Sequence, residues 1–496
     1  MQLQYATDQF EFQGLGSRRV VAQFDGGTLT SDAGALLLRD LDGRTGIMDG
    51  FAECFTDHRH SSYCDHGVRQ MFAQRVYGIC LGYEDLNDHE QLRYDPLFAA
   101  LCGEEDVSGS RRRQIADVGK ALAGKSTLHR LETAGQRESR YRKIFYDREK
   151  IERFFVQHFL EHYNAGNEPA EIIIDVDATD DRLHGNQEGR FFHGFYNSYC
   201  YLPLYIFCEG YLLAARLRPS NIDGALDTDT ELHRIVDQIR ERWAEVKITV
   251  RGDSGFARQW LMAWCEDNGV EYLFGLARNV RFKRAIGAQM QQARMEYQQT
   301  GAASRVFADL RYRTRKSWSR ERRVIGKAEY LSGGENPRFV VTSLDAQQWP
   351  AAKLYETLYC PRGDMENRIK EQQLYLFADR TSSATMRANQ LRLWFSSVAY
   401  VMMNELRQVA LGGSELASSQ CHTIRTKLLK IGARVALSTR RIVVHLATGY
   451  PYEKLFRRSL LRIQTAFPYS RPCYRQGDFL GINPEALACP LPDRDR

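Results

Sequence analysis

Between residues 171 and 277, apolar runs of strand length alternate with amphipathic helical segments in an order few folds accommodate. Glu171–Thr179, Tyr201–Cys208 and Tyr211–Arg218 read as successive strands, the last two joined by a GluGly turn. Residues 230–243 then carry the period of an amphipathic helix. Lys247–Asp253 is a fourth strand and, after a second helix, Val270–Ala277 a fifth. Three strands, helix, strand, helix, strand predicts an α/β core with a mixed five-stranded sheet flanked by helices.

Carboxylates stand where these strands end. Asp175 and Asp177 are two apart, so both point to one face of the first strand. Asp253 closes the fourth strand before a SerGly turn. A carboxylate closing an apolar strand is costly unless it is paired or binds a cation, and strand ends of an α/β sheet converge on one rim. Hard oxygen donors there suit Mg²⁺ or Mn²⁺, and two such ions can activate a nucleophile and stabilise the leaving oxygen of a phosphodiester. A third carboxylate is expected from Glu366, with Tyr359, Arg362 and Lys370 at spacings that place all four on one helical face. Arg362, one turn from Glu366, has the reach to clamp a phosphate.

Charge is unevenly distributed. From Arg380 onward 18 Lys/Arg stand against 7 Asp/Glu, while the preceding 50 basic and 55 acidic residues leave that part net negative. A second basic cluster runs from Arg311 to Arg323 and includes Arg313, Arg315, Lys316 and Trp318. Such patches favour a polyanion, whose condensed counterions are released on binding.

The remaining chain divides by pattern. Residues 1–165 read as mostly helical, with an N-cap at Ser31 and further helices from His66 and over Arg140–His162. A break at Asn164–Pro169 precedes the core, assigned to 170–280 and 350–410. A basic β-rich insertion is expected over 281–349, and a basic helical region over 411–496. No apolar run spans a bilayer, the first residues lack a signal-peptide pattern, and 11 scattered cysteines fit free thiols in a cytoplasm.

Tyr359, Arg362 and Glu366 resemble the Tyr-x-x-Arg-x-x-x-Glu-x-x-x-x-x-x-Lys signature of insertion-sequence-4-like transposases. AspAlaThr (177–179) and GlyAspSerGlyPhe (252–256) are similar to their two Asp motifs. PheAspGlyGlyThrLeuThrSerAspAlaGly, ValTyrGlyIleCysLeuGlyTyrGluAspLeuAsnAspHis and LysLeuLeuLysIleGlyAlaArg resemble the insertion-sequence family numbered 1380. The likeness implies a ribonuclease-H-like core with a β-rich insertion before the catalytic Glu. It also implies cut-and-paste transposition on terminal inverted repeats, a hairpin intermediate, two Mg²⁺ or Mn²⁺ ions on Asp177, Asp253 and Glu366, and a homodimer on double-stranded DNA. Asp177 is preferred to Asp175 because AspAlaThr has the family's Asp-x-Thr form. The chain departs from the signature at its Lys, where Gln373 stands and Lys370 lies one turn earlier.

Other features carry less. The Cys54, His58, His60, Cys64, His66 cluster fits no standard zinc finger spacing, and ArgGlyAsp at Arg251 reads as a chance match to an adhesion tripeptide. Trp318 is read either as a base-stacking residue or as the insertion's own packing. Two other functions share these features: a nuclease without strand transfer, and a non-catalytic DNA-binding protein.

Overall fold

The five apolar runs become β1 (Glu171–Ala178), β2 (Leu204–Cys208), β3 (Tyr211–Arg216), β4 (Lys247–Gly252) and β5 (Glu271–Leu276), in a computed structural model that describes residues 9–140, 142–163 and 167–467. Helices α1 (Thr228–Arg242) and α2 (Gln259–Asp267) form the crossovers before and after β4. β1 lies at the centre, antiparallel to β2 and parallel to β4, and β4 is parallel to β5. Alternation decides the faces: Ile172, Ile174 and Val176 pack in one core with Leu232, Ile235 and Ile239 of α1, leaving Asp175 and Asp177 on the other face.

The sheet does not stop at five strands. After α3 (Gly287–Thr300), the insertion supplies β6 (Ser304–Tyr312), β7 (Arg322–Leu331) and β8 (Arg338–Thr342). These continue the sheet in the order β3-β2-β1-β4-β5-β8-β7-β6, and a two-residue strand, Gly334–Glu335, makes it nine-stranded. β5 is apolar or aromatic along most of its length and would otherwise expose an open edge, which β8 closes by antiparallel pairing. The expected five-stranded sheet is therefore part of a larger mixed sheet.

Three further expectations are corrected. Pro203, which cannot donate to a ladder, splits the expected second strand into β2 and a short strand, Ser198–Tyr201, in a separate three-stranded sheet. Residues 144–146 pair as a strand with Phe55–Asp57, and the helix begins only at Arg148, where the Asp147 carboxylate accepts the Lys150 N–H. Ser31 caps no helix: a 3₁₀ turn, Ala33–Ala35, follows Asp32 and leads into Leu36–Thr45.

The N-terminal region also holds a hairpin, Gln9–Leu15 with Arg18–Gln23. Beyond 411, the expected helical region holds the hairpin Ala433–Leu437 with Ile442–Leu446, because β-branched Val435, Ile442, Val443 and Val444 flank a tight turn; among the described residues only Glu453–Ala466 is a long helix there. Residues 468–496 of that region, and 164–166 of the expected break, lie outside the described residues.

The helical N-terminal region is joined to the core through α5 (Met386–Ala410), a 25-residue helix buried along most of its length. Helix Val68–Leu81 packs against it. Between them the fully buried Glu132 accepts from Arg75 at 2.9 Å and Arg392 at 2.8 Å. Among the described residues, no helix is long and apolar enough to cross a membrane.

Candidate active site

Asp177 is the penultimate residue of β1, Asp253 follows the last residue of β4, and β1 and β4 are parallel neighbours. Their carboxylates therefore leave the sheet at the same edge. Each is shaped by its own turn: Asp177 accepts the Ala178 N–H at 2.9 Å and Asp253 the Gly255 N–H at 2.8 Å. A Cβ at Gly255 would stand 2.9 Å from the Asp253 carboxylate and push it out of this turn.

Glu366 arrives from the other side, in the first turn of α4 (Gly363–Leu376). The expected continuous helical face is broken. Leu354–Tyr359 is a π-helical turn and Cys360–Arg362 a 3₁₀ turn, with Pro361, which lacks an N–H, at the junction. The irregularity lowers Tyr359 into the sheet edge beside Gly275, where a Cβ would come within 2.6 Å of its hydroxyl.

Asp177 is pushed up to about 7, first by burial and then by the charge of Asp253, with Glu366 adding to it and Arg362 opposing. Arg362 donates to Glu366 at 2.6 Å and lies 4.0 Å from Asp177. Among the described residues, no three Asp, Glu, His or Cys side chains form a ready-made metal cage; here a guanidinium lies against two of the acids. The donors are carboxylate oxygens, the class that a hard divalent ion takes, in a site where burial and then the charge of Asp253 already raise Asp177.

Asp175 is spent elsewhere: both its oxygens accept from Arg251, at 2.6 and 2.7 Å. Gln373, at the signature Lys position, donates to the Asp180 carbonyl at 3.2 Å and the Asp181 carboxylate at 2.7 Å. Lys370 is exposed on α4.

The basic cluster is divided. Arg313, Arg315 and Lys316 lie exposed on the loop between β6 and β7, where Arg313 also donates to the Trp318 carbonyl at 3.3 Å. Arg322 and Arg323 are buried and committed, to Glu266 and to Asp309. Trp318 is 7% exposed and meets Tyr312 edge-on, so its indole packs the insertion instead of presenting a face for stacking. The loop rests on α2 through Gln259 and Ser319, 2.8 Å apart. In the Cys54–His66 cluster, His58 pairs with Glu138 and His66 with Gln70.

Sequence reasoning missed three neighbours of the site. Arg278 and Arg338 line a pocket of about 310 Å³ with Asp253, Tyr355, Tyr359 and Arg362, and neither is in an ion pair among the described residues. Tyr196 is raised to about 12 by burial and by the charges of Asp180, Asp177 and Asp253. An arginine on a loop, another opening a strand and a tyrosine in a turn give no periodic signal, so only the fold brings them to the acids.

The family model for the transposase DDE domain, group 1, matches residues 12–468. No curated protein matches. Among solved structures, a cryo-EM structure of the piggyBac transposase synaptic complex with hairpin DNA is similar at 11% identity and a TM-score of 0.38, over 90% of this chain and 87% of that one. The family match spans nearly the whole chain, and this protein belongs to the DDE transposases of group 1.

Proposed function

We propose that this chain is a transposase of the insertion-sequence-1380 kind, binding terminal inverted repeats in double-stranded DNA and catalysing strand cleavage and strand transfer. The observation that carries this reading is that Asp177 and Asp253 stand at the ends of two neighbouring parallel strands while Arg362 reaches both Asp177 and Glu366, the latter in the first turn of α4. The strand order β3-β2-β1-β4-β5, with antiparallel pairing on one side of β1 and parallel on the other, supports a ribonuclease-H-like core.

In this reading Asp177, Asp253 and Glu366 hold two Mg²⁺ or Mn²⁺ ions, which when bound supply an activated water or 3′-hydroxyl and neutralise the leaving oxygen. The protein's own groups align the strand. Arg362 turns from Glu366 to a phosphate oxygen, and Tyr359 supports the same phosphate from the sheet edge. Arg278 and Arg338 offer further cations beside Asp253 in a chain whose signature lysine position holds Gln373. Arg313, Arg315 and Lys316 contact phosphates away from the reacting centre, residues up to about 165 recognise the element's ends, and two copies pair the ends as a homodimer on DNA.

A labelled linear duplex carrying the element's ends, incubated with Mg²⁺ and a target plasmid, tests the proposal. Joined products are expected. Nicks without joining would mean a nuclease, and a mobility shift alone a DNA-binding protein.

A further inference from the structure

We infer that Arg251 is a positioning residue for this reaction: its guanidinium ties together the three segments that carry Asp177, Asp253 and Glu366. The inference rests on the proposed function, in which those three acids hold the cations.

Arg251 stands two residues before Asp253 on β4, and Asp175 two residues before Asp177 on β1. The two-residue period of a strand puts the members of each pair on one face. The strands are parallel, with Arg251 directly opposite Asp175. Nε and Nη2 of Arg251 grip both oxygens of Asp175, at 2.6 and 2.7 Å. Its remaining nitrogen, Nη1, donates to the carbonyl of Leu358 in the π-helical turn that ends at Tyr359. Both side chains are buried, Arg251 at 6% exposure and Asp175 at 7%.

Two consequences follow from one buried group. The bidentate grip fixes the lateral register of β1 and β4, so one strand repeat further on Asp177 and Asp253 leave the sheet side by side, about 5 Å apart in strand spacing. The third donor anchors the π-helical turn through the Leu358 carbonyl, and that turn sets where α4 starts and therefore where Glu366 stands. The same grip also occupies Asp175, which shares residue type and face with Asp177 and would otherwise be a competing oxygen donor. A lysine cannot reproduce this, because a point charge does not span two carboxylate oxygens and a carbonyl at once. The pair walls a cavity of about 850 Å³, so smaller side chains at 251 meet no obstruction.

The test uses the full chain in four forms: wild type, Arg251→Lys, the neutral pair Asp175→Asn with Arg251→Gln, and Asp253→Asn. Mn²⁺ affinity is measured by titration without DNA, single-turnover cleavage as a function of Mn²⁺, and folding by circular dichroism and melting. Arg251→Lys is expected to weaken Mn²⁺ binding about 10- to 100-fold, as removal of a group that orients metal ligands does. It should also slow cleavage at saturating Mn²⁺ about 100-fold, as small misplacement of reacting groups does, with DNA affinity unchanged. If Arg251→Lys does not fold, the neutral pair takes its place in the same comparison, with the same expected reductions. A lowered melting temperature with wild-type Mn²⁺ affinity and wild-type saturated rate would mean Arg251 only supports the fold, and would overturn the inference. Failure of the wild type to cleave, or cleavage by Asp253→Asn at the wild-type rate, would instead overturn the proposed function and this inference with it.

Discussion

The guanidinium of Arg362 lies 2.6 Å from Glu366, one turn along the chain, and so holds a position that a bound cation would contest. The same group is 4.0 Å from Asp177. Removing its charge with Arg362→Gln leaves three acids to repel one another, so the metal-free melting temperature should fall. Added Mg²⁺ should then raise it more than in the wild type, because no internal cation competes; ligand at 100 times its Kd contributes about 2.7 kcal/mol. Equal Mg²⁺-induced shifts in both proteins would show that Arg362 and the metal do not share these oxygens.

Asp177→Asn, Asp253→Asn and Glu366→Gln preserve shape while deleting ligand charge. Each is expected to abolish cleavage in a gel assay and leave DNA affinity equal to the wild type's or slightly tighter, since repulsion with phosphate falls. Asp175→Asn should retain measurable cleavage. A Glu366→Gln protein that cleaves normally would remove Glu366 from the mechanism.

Asp177 is raised to about 7 and the fully buried Asp181 to about 8, both chiefly by burial. A carboxyl whose folded value is raised binds its proton more tightly folded than unfolded, so it favours the folded state at low pH and loses that contribution as pH rises. Metal-free stability should therefore decline between about pH 4 and pH 8. Gln373→Lys sets an ammonium beside Asp181 and should flatten the upper part of that decline. Urea midpoints in chelator at pH 5, 6, 7 and 8 decide it, and an unchanged slope in the variant would rule out Asp181 as the source.

Arg313, Arg315 and Lys316 stand on the loop between β6 and β7, whereas Arg322 and Arg323 are buried in ion pairs. Alanine at the first three should lower the slope of log affinity against log salt by roughly 1 for each phosphate left unneutralised, without altering the melting temperature. Alanine at Arg323 should do the reverse, lowering the melting temperature because the Asp309 carboxylate and the Leu344 carbonyl are left without their donor.

Glu132 is fully buried between Arg75 and Arg392. Glu132→Ala leaves two cations without a counter-charge and should destabilise the protein by about 3–5 kcal/mol in urea unfolding. A change under about 1 kcal/mol, within the range of an exposed pair, would mean the arginines find water or other partners.

The order of the core elements was legible in the sequence because burial on a two-residue or helical period writes itself into residue type; β1 to β5 fall within the five runs read from pattern alone. Asp177, Asp253 and Glu366 were singled out in the sequence as acids closing apolar strands or sharing a helical face with Arg362; the fold sets the first two at neighbouring strand ends and links the third to Asp177 through Arg362. What the sequence could not decide was pairing across distance. Two acids on one face of β1 are equivalent until the parallel register sets Arg251 against Asp175 and leaves Asp177 beside Asp253. Likewise Arg322, Arg323 and Trp318 read as an extension of a basic, aromatic patch until β6 and β7 pair and turn them inward. Local pattern fixes which residues must leave water, whereas the identity of each buried partner depends on contacts between residues far apart in the chain, which only the folded sheet supplies.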